Sequence, residues 1–210
     1  MAVEYSLISS PIGEPHQIKQ CRSCGLYTLQ LPLICERRLS QIFWVGLSAV
    51  KLSQGEEGVP LSQNTPTGKL VYEIEKPFTK TLSFYRTNLV KCAPMLNGKI
   101  RYPTKQEMSW CFPNLEEEIA ILNPKVIILL GKQVSNFVVD EGKVSLDENF
   151  SYRYYSKNNI HYIPVHHPSY VLVYKRKNIQ TYISNIQTLI SRLSSSGNRR
   201  KKVNLPVNLT

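Results

Sequence analysis

The chain has 210 residues, with 26 lysines and arginines against 15 acidic residues, and its net charge is +11. No apolar run approaches the roughly 18 residues that span a bilayer, and the N-terminus lacks a basic-then-apolar signal pattern, so we expect a cytoplasmic protein and not a membrane-spanning one. The basic excess favours a polyanionic partner, and nucleic acid is the usual one.

The first part of the chain, residues 1–40, has an irregular or weakly helical pattern and carries the motif CRSC. The apolar run Ile42–Val45 then predicts a buried strand that breaks at Gly46. Ligands of α/β proteins bind beyond the carboxyl ends of such strands. The residues after this glycine should therefore carry chemistry, yet no acid occurs before Glu56 and Glu57.

The remaining apolar patterns alternate between strands and helices. They predict strands over Ser83–Leu89, Lys125–Leu130 and His161–Val165, and helices over Lys69–Lys76, Glu107–Leu122, Lys132–Val139 and Lys177–Leu193. The polar stretch Asp140–Asn159 predicts a hairpin or a loop. This alternation predicts an α/β fold, a three-layer α/β/α sandwich around a central, mostly parallel sheet of four strands.

Three of the predicted strands end in polar or glycine-bearing segments that should meet at one edge of the sheet. These segments are GLSA, TNLVKC and HHPS. His167 could donate a hydrogen bond to a leaving group or an oxyanion, or it could simply cap a loop. The amide of Asn88 could read the edge of a nucleobase, or it could satisfy backbone groups at the strand end.

The cysteines are a further candidate site. Three separated segments contribute Cys21, Cys24, Cys92 and Cys111, and Cys35 is left over. A set of four thiolates suits a zinc ion or an iron–sulfur cluster, and the spacing does not choose between them. Free buried cysteines are the alternative interpretation.

Together these segments resemble the uracil-DNA glycosylase superfamily, most closely its iron–sulfur branch of the family 4 and family 5 type. The resemblance covers roughly residues 18–176 and depends on CRSC, TNLVKCAP, Cys111, LNPKVIILLG and HHPSY. It implies hydrolysis of the N-glycosidic bond of a nucleotide that is flipped out of duplex DNA or taken from a single strand. It also implies a structural 4Fe-4S cluster held by Cys21, Cys24, Cys92 and Cys111.

The resemblance assigns roles to the matched residues. The expected catalytic residues are His167, which would stabilise the departing base, and Asn88. Ser48 and Glu57 are added from this chain's own loop, as polar groups that could hold water where the family has its acid. The expected base-binding residues are Gly46, Leu47, Leu61 and Asn88. The expected contacts to DNA phosphates come from Lys91, Ser169, Lys175 and Arg176. Glu57 could also be only a solvated loop residue, and we rank it below the other three catalytic candidates.

The first motif of this chain departs from the family pattern. Leu47 stands where the iron–sulfur branch has a glutamate, and Ser48 stands where other branches have Asp or Asn. Leu61 replaces the phenylalanine that stacks on uracil, and Ala93 replaces an arginine. Since these changes remove an aromatic wall and open space, we predict that the base is a modified pyrimidine, for example a bulky modified cytosine of phage DNA, which implies antiphage defence.

Other functions stay open at this point. Ordinary uracil excision in base-excision repair and a catalytically inactive DNA-binding member are alternatives, and so is a zinc-stabilised nucleic-acid adaptor. We expect residues 1–193 to form a single glycosylase-like domain that includes the iron–sulfur segment, and residues 194–210 to form a basic, disordered tail. The protein is expected to be a monomer that binds DNA and no membrane.

Overall fold

A computed structural model of the chain describes residues 16–53, 58–139 and 144–195. Its α-helices are α1 (His16–Lys19), α2 (Pro66–Glu75), α3 (Lys105–Leu122), α4 (Lys132–Val139), α5 (Pro168–Tyr174) and α6 (Ile179–Ser194). Its strands are β1 (Ile42–Ser48), β2 (Phe84–Val90), β3 (Met95–Leu96), β4 (Lys99–Ile100), β5 (Val126–Leu130), β6 (Tyr155–Lys157) and β7 (Ile160–Val165). No helix in the described ranges is both long and apolar enough to cross a membrane.

The main sheet has five strands in the order β2-β1-β5-β7-β6. The first four run parallel, and β6 pairs antiparallel with β7 at the edge. The predicted α/β fold with a mostly parallel central sheet is confirmed, with one strand more than the predicted four. The extra strand is short and polar, and a tight turn at Asn158 and Asn159, both with positive φ, joins it to β7.

The sheet buries both of its faces, as a parallel sheet must. Alternate residues of β1 point to opposite sides. Trp44 packs on the side covered by α2, α5 and α6, whereas Phe43 and Val45 pack on the side covered by α3 and α4. This arrangement gives the three predicted layers and brings the carboxyl ends of the parallel strands to one edge.

Capping residues explain where two helices begin. Helix α3 starts before the predicted Glu107 because the Thr104 hydroxyl accepts the Glu107 N–H at 3.1 Å while the Glu107 carboxylate accepts the Thr104 N–H at 2.8 Å. Helix α5 is not predicted by the sequence pattern. It begins with Pro168, and its cap is a histidine, His167, which is not among the usual capping residues.

A small hairpin, β3–β4, stands outside the main sheet. It lies in the long loop between Cys92 and Cys111, where the sequence pattern predicts no strand. Asn97 and Gly98 form its turn with φ of 51° and 74°, the combination that two-residue hairpin turns require.

Candidate active site and cysteine cluster

Gly46 and Asn88 are neighbours near the carboxyl ends of β1 and β2. They are partners in the parallel register, and the side chain of Asn88 lies against Gly46. A Cβ at position 46 would overlap the Oδ1 of Asn88. Because glycine has no Cβ, it leaves room for the amide that is the predicted reader of the base.

The next two residues of β1 take opposite sides of the sheet. Ser48 shares the side of Gly46 and Asn88 by the alternation of the strand, and it is partly buried. Leu47 packs on the other side, against the apolar cluster that includes part of α3. The predicted base contact of Leu47 is therefore not supported, because its side chain packs away from Asn88.

Leu61 packs against the apolar cluster on the Trp44 side of the sheet. Its backbone has a φ of 52°, which is uncommon for leucine. The start of α2 holds this turn: the Thr65 hydroxyl donates to the Ser62 carbonyl at 2.8 Å, and a Cβ at Gly68 would overlap the carbonyls of Leu61 and Ser62. The close approach of the turn to the helix thus sets the position of Leu61.

His167 presents a neutral donor at the strand-end edge. Its Nδ1 accepts the backbone N–H of Ser169 at 3.1 Å and lies 2.7 Å from the Oγ of the same residue. A ring nitrogen that accepts a hydrogen bond carries no proton, so the neutral ring has its hydrogen on Nε2. Burial lowers the pKa of His167 and keeps the ring neutral at pH 7.

Aromatic residues hold His166, the neighbour of His167. The His166 ring stacks on Tyr170 with centroids 5.3 Å apart, and its Nδ1 lies 3.0 Å from the Tyr152 hydroxyl. The Tyr182 hydroxyl donates to the His166 carbonyl at 2.9 Å. These contacts fix the backbone that carries His167. Sequence reasoning missed the roles of these tyrosines, although Tyr152 lies in the tyrosine-rich stretch SYRYYS and Tyr170 ends the motif HHPSY.

A cavity of about 440 Å³ opens beside the two histidines. It lies beyond the carboxyl ends of β5 and β7 and is lined by Gly131, Lys132, Val144, Ser145, Leu146, Glu148, His166, His167 and Tyr170. Gly46 on β1 and Asn88 on β2 lie on the same edge of the sheet, one and two strands beyond β5. Gly46, Asn88 and His167 therefore share one edge, and His167 borders the cavity.

Lys91 is buried and occupies the interior rather than the surface. Its ammonium lies 2.6 Å from the Glu118 carboxylate and 2.6 Å from the Thr87 hydroxyl. The hydroxyls of Tyr85 and Thr87 each donate to the same carboxylate at 2.9 Å. The predicted phosphate contact of Lys91 is therefore not supported, because the Lys91 ammonium is buried and paired with the Glu118 carboxylate between β2 and α3.

The other predicted DNA contacts lie near the surface. Ser169 and Arg176 are exposed, and the Ser169 N–H donates to the Nδ1 of His167. The ammonium of Lys175 pairs with the carboxylate of Glu148. Phosphate contacts from these three residues stay predictions.

Glu57 lies outside the described residues. Ala93 is fully buried, so no solvent-accessible space adjoins its side chain.

The structure brings the four predicted metal ligands together. One cavity is lined by Cys21, Cys24, Cys92 and Cys111, together with Ile18, Ser23, Tyr27, Pro32, Lys91, Trp110 and Asn114. The Asn114 amide lies 3.8 Å from the Sγ of Cys21 and 3.7 Å from the Sγ of Cys111. Cys35 is not among the lining residues.

The donor chemistry of this arrangement fits an iron–sulfur cluster or a zinc ion. Within the ranges that the structure describes, no group of three or more His, Cys, Asp or Glu side chains is placed to hold a metal ion. Four thiols around a shared cavity, with N–H groups near the sulfurs, suit an iron–sulfur group. Burial and then the neighbouring cysteines raise the pKa of Cys92 to about 12, so its thiolate requires a nearby positive charge.

Comparisons with known proteins identify the family of this sequence. The sequence model of the uracil DNA glycosylase superfamily matches residues 36–189. A type-4 uracil-DNA glycosylase of Thermotoga maritima is 39% identical over 159 residues, which cover 74% of this chain and 80% of the relative. A type-4 uracil-DNA glycosylase of Sulfurisphaera tokodaii is 28% identical over 167 residues, which cover 78% and 67%.

One solved structure resembles the fold. The crystal structure of wild-type Pedobacter heparinus SMUG2 superposes with a TM-score of 0.55 at 16% identity, over 76% of this chain and 78% of that one. At this identity the likeness concerns the fold alone.

Proposed function

This chain belongs to the uracil-DNA glycosylase superfamily and is a DNA glycosylase, and we propose that it excises a modified pyrimidine. The reaction is hydrolysis: water adds its oxygen to C1′ of the sugar, the C1′–N bond breaks, and the base leaves with the bonding electrons and a proton. The product is an abasic site in the DNA.

The cavity of about 440 Å³ beside His167 is the observation that carries this proposal. Its volume falls within the roughly 300–1,000 Å³ that is usual for small-molecule pockets in proteins. Ser145 and Glu148 supply polar groups, and Tyr170 supplies an aromatic face. This lining suits a base with a polar substituent, such as the bulky modified cytosine of phage DNA, and an antiphage role follows from such a substrate.

Leu61 supports the same substrate. A leucine offers no flat ring for stacking, and so it gives less preference to an unsubstituted planar base than a phenylalanine would. The amide of Asn88, placed against Gly46, has both donors and acceptors for the edge of a cytosine or a uracil.

The site residues match the charges that develop as the bond breaks. Negative charge grows on the departing base, and the Nε2–H of His167 is a preorganised donor for it. Ser48 lies on the Asn88 side of β1, where its hydroxyl is the nearest polar group of this motif to hold water near C1′. Glu57 stays a lower-ranked candidate for the same task.

Ordinary uracil is the second candidate substrate. It is favoured by the 39% identity to a protein that is named a type-4 uracil-DNA glycosylase. In that case the protein would act in base-excision repair, and the cavity beside His167 would be unused by the base.

A panel of DNAs decides between the two substrates. Oligonucleotides that carry uracil, cytosine, 5-hydroxymethylcytosine or a glycosylated 5-hydroxymethylcytosine are incubated with the purified protein, and abasic sites are measured by alkaline cleavage. We expect faster release of the substituted cytosine than of uracil, and release that is about 100- to 1,000-fold slower from the His167→Ala variant. If uracil were released rapidly and no modified base were released, ordinary uracil would be the substrate.

We also propose that Cys21, Cys24, Cys92 and Cys111 hold a 4Fe-4S cluster. Their shared cavity and the resemblance to the iron–sulfur branch support it. Such a cluster would act as a structural cross-link between the N-terminal segment, the loop after β2 and helix α3. Its chemistry does not enter the roles given to His167, Asn88 and Ser48.

The remaining expectations stay proposals. They are the single domain over residues 1–193, the monomeric state and the cytoplasmic location. Most of the predicted tail, from residue 196 onward, lies outside the described residues.

A further inference from the structure

Exposed apolar side chains lie on three segments near the carboxyl edge of the sheet. They are Leu29, Leu31, Val50, Leu96, Ile100 and Tyr102. Single exposed apolar residues need no explanation, but a contiguous group of them marks a binding surface.

Hydrogen bonds join the three segments. The Gln30 side chain donates to the Val50 carbonyl at 2.9 Å and accepts the Leu52 N–H at 2.9 Å. The Lys51 ammonium donates to the Gly98 carbonyl, at the tip of the β3–β4 hairpin, at 2.9 Å. Since these contacts begin shortly after Ser48, the joined surface borders the end of β1 and hence the candidate active site.

The hairpin is held firmly at its base as well. The Arg101 N–H donates to the Pro94 carbonyl at 2.9 Å, and the Arg101 guanidinium donates to the Glu107 carboxylate at 2.8 Å. Tyr102 nevertheless remains 73% exposed. A rigid support that keeps an aromatic ring in water is suited to a partner that covers the ring.

The charge of this surface points to the class of partner. Segments 29–34, 48–53 and 93–106 contain four basic residues: Lys51, Lys99, Arg101 and Lys105. The acid that follows them, Glu107, pairs with Arg101, so the three lysines make up the excess of positive charge. Single-stranded nucleic acid binds surfaces on which apolar and aromatic groups lie among cations, because its bases stack on the rings and its phosphates contact the cations. Apolar side chains at a rigid tip also serve to occupy space between unstacked bases.

We propose that these three segments form one surface that binds unpaired bases of the DNA strand beside the flipped nucleotide. Tyr102 is the stacking platform, and Leu96 and Ile100 are the apolar contacts. The proposal depends on the proposed function in that the ligand is the DNA substrate. It goes further by assigning residues of this chain to contacts with the unpaired bases around the target nucleotide.

Binding to DNA without any modified base tests this surface. Fluorescence anisotropy measures the affinity for one labelled oligonucleotide as a single strand and as a duplex, at fixed salt. We expect the wild type to prefer the single strand and Tyr102→Ala to weaken that binding by about 5- to 100-fold. Tyr102→Phe, which keeps the ring, should bind like the wild type.

A matched aliphatic pair controls for general loss of apolar surface. Ile100 and Leu39 are 48% and 51% exposed, but Leu39 precedes β1 and so lies at the opposite edge of the sheet. Ile100→Ser should weaken single-strand binding, and Leu39→Ser should not. Unchanged affinity in Tyr102→Ala and Ile100→Ser, an equal loss in Leu39→Ser, or no binding by the wild type would overturn the proposal.

The same experiment separates this surface from the proposed function. If no base of the panel is excised but the Tyr102 and Ile100 variants lose single-strand binding, the surface stands and the proposed function fails. If excision proceeds and these variants bind and react like the wild type, the surface alone fails.

Discussion

The contact of Gly46 with Asn88 shows how one missing side chain can place another. The amide occupies the space that a Cβ of residue 46 would fill. The obstacle is the far end of a side chain and not backbone, so a larger residue can be accommodated if Asn88 rotates away. The cost of a substitution at position 46 should therefore fall on base recognition more than on folding.

Gly46→Ala tests this coupling. We expect it to reduce excision about as much as Asn88→Ala does, because both changes remove the amide from its position. The double variant should show no further loss, since contacting residues are not additive. Single-turnover rates measure the effect, and urea unfolding should show a small change in stability. If the loss of excision rate in the double variant instead equals the product of the two single losses, Gly46 acts independently of Asn88.

His167 gives a pH dependence with a definite sign. Burial lowers the pKa of His167, and the Nδ1 that accepts the Ser169 N–H must be unprotonated. The excision rate should therefore stay level as the pH falls through the ordinary histidine pKa of about 6.5, and should decline only below it. A decline centred at or above that value would contradict the neutral donor. Folding stability should fall with pH below about 6.5, because the unfolded chain binds the proton more readily.

Two variants of His167 separate donation from capping. His167→Ala removes both the Nε2–H donor and the cap of α5, so we expect excision to fall by about 100- to 1,000-fold and stability by about 1 kcal/mol. His167→Asn can still cap the helix, so it should recover stability but not activity. If His167→Asn recovered both the stability and the excision activity, the role of His167 would be structural only.

The interaction between β2 and α3 depends on a buried ion pair. The Lys91 ammonium and the Glu118 carboxylate are both buried, and Tyr85 and Thr87 complete the hydrogen bonds of the carboxylate. Asn88 lies on the same strand, and Cys111 lies on the same helix. The pair therefore aligns the strand that carries the predicted base reader with the helix that carries a predicted metal ligand.

Lys91→Met leaves Glu118 buried without its partner. We expect a loss of about 3–5 kcal/mol in the free energy of unfolding, measured in urea. Lys80→Met, at an exposed lysine, should change stability by no more than about 0.5 kcal/mol. The salt dependence of DNA binding should be the same in folded Lys91→Met as in the wild type. A loss near that of Lys80→Met would mean that the ion pair contributes little to the packing of α3 on β2.

The cysteine cavity connects parts of the chain that are far apart in sequence. It joins the segment with Cys21 and Cys24 to Cys92 beyond β2 and to Cys111 in α3. A metal group bound there would close long loops, and its binding would contribute directly to folding.

Serine substitutions test the cluster. Any one of Cys21→Ser, Cys24→Ser, Cys92→Ser and Cys111→Ser should lower the iron and sulfide content, remove the visible absorption and lower the thermal midpoint. Cys35→Ser should keep iron, sulfide and colour, because Cys35 does not line the cavity. Zinc in place of iron in the wild type would contradict the cluster and would support a zinc site.

Much of the fold could be predicted because its signals are local. Apolar runs locate β1, β2, β5 and β7, and helical periodicity locates α3 and α6. The predicted hairpin or loop over Asp140–Asn159 contains β6, but the pattern did not locate this strand because its three residues show no apolar alternation. The helix α5 escaped prediction because it is short and its cap, His167, is not a usual one. The strand ends were enough to place Gly46, Asn88 and His167 on one edge of the sheet.

Patterns along the chain thus establish the α/β architecture, the family and the four candidate metal ligands, since each depends on residue type and spacing. Packing decides what these patterns leave open: that Leu47 and Ser48 take opposite sides, that Lys91 is buried, and that His167 keeps its hydrogen on Nε2. The partners responsible come from other elements, as with Lys91 and Glu118 at a separation of 27 residues. Such pairs form only when the helices dock on the sheet, so no local pattern records them.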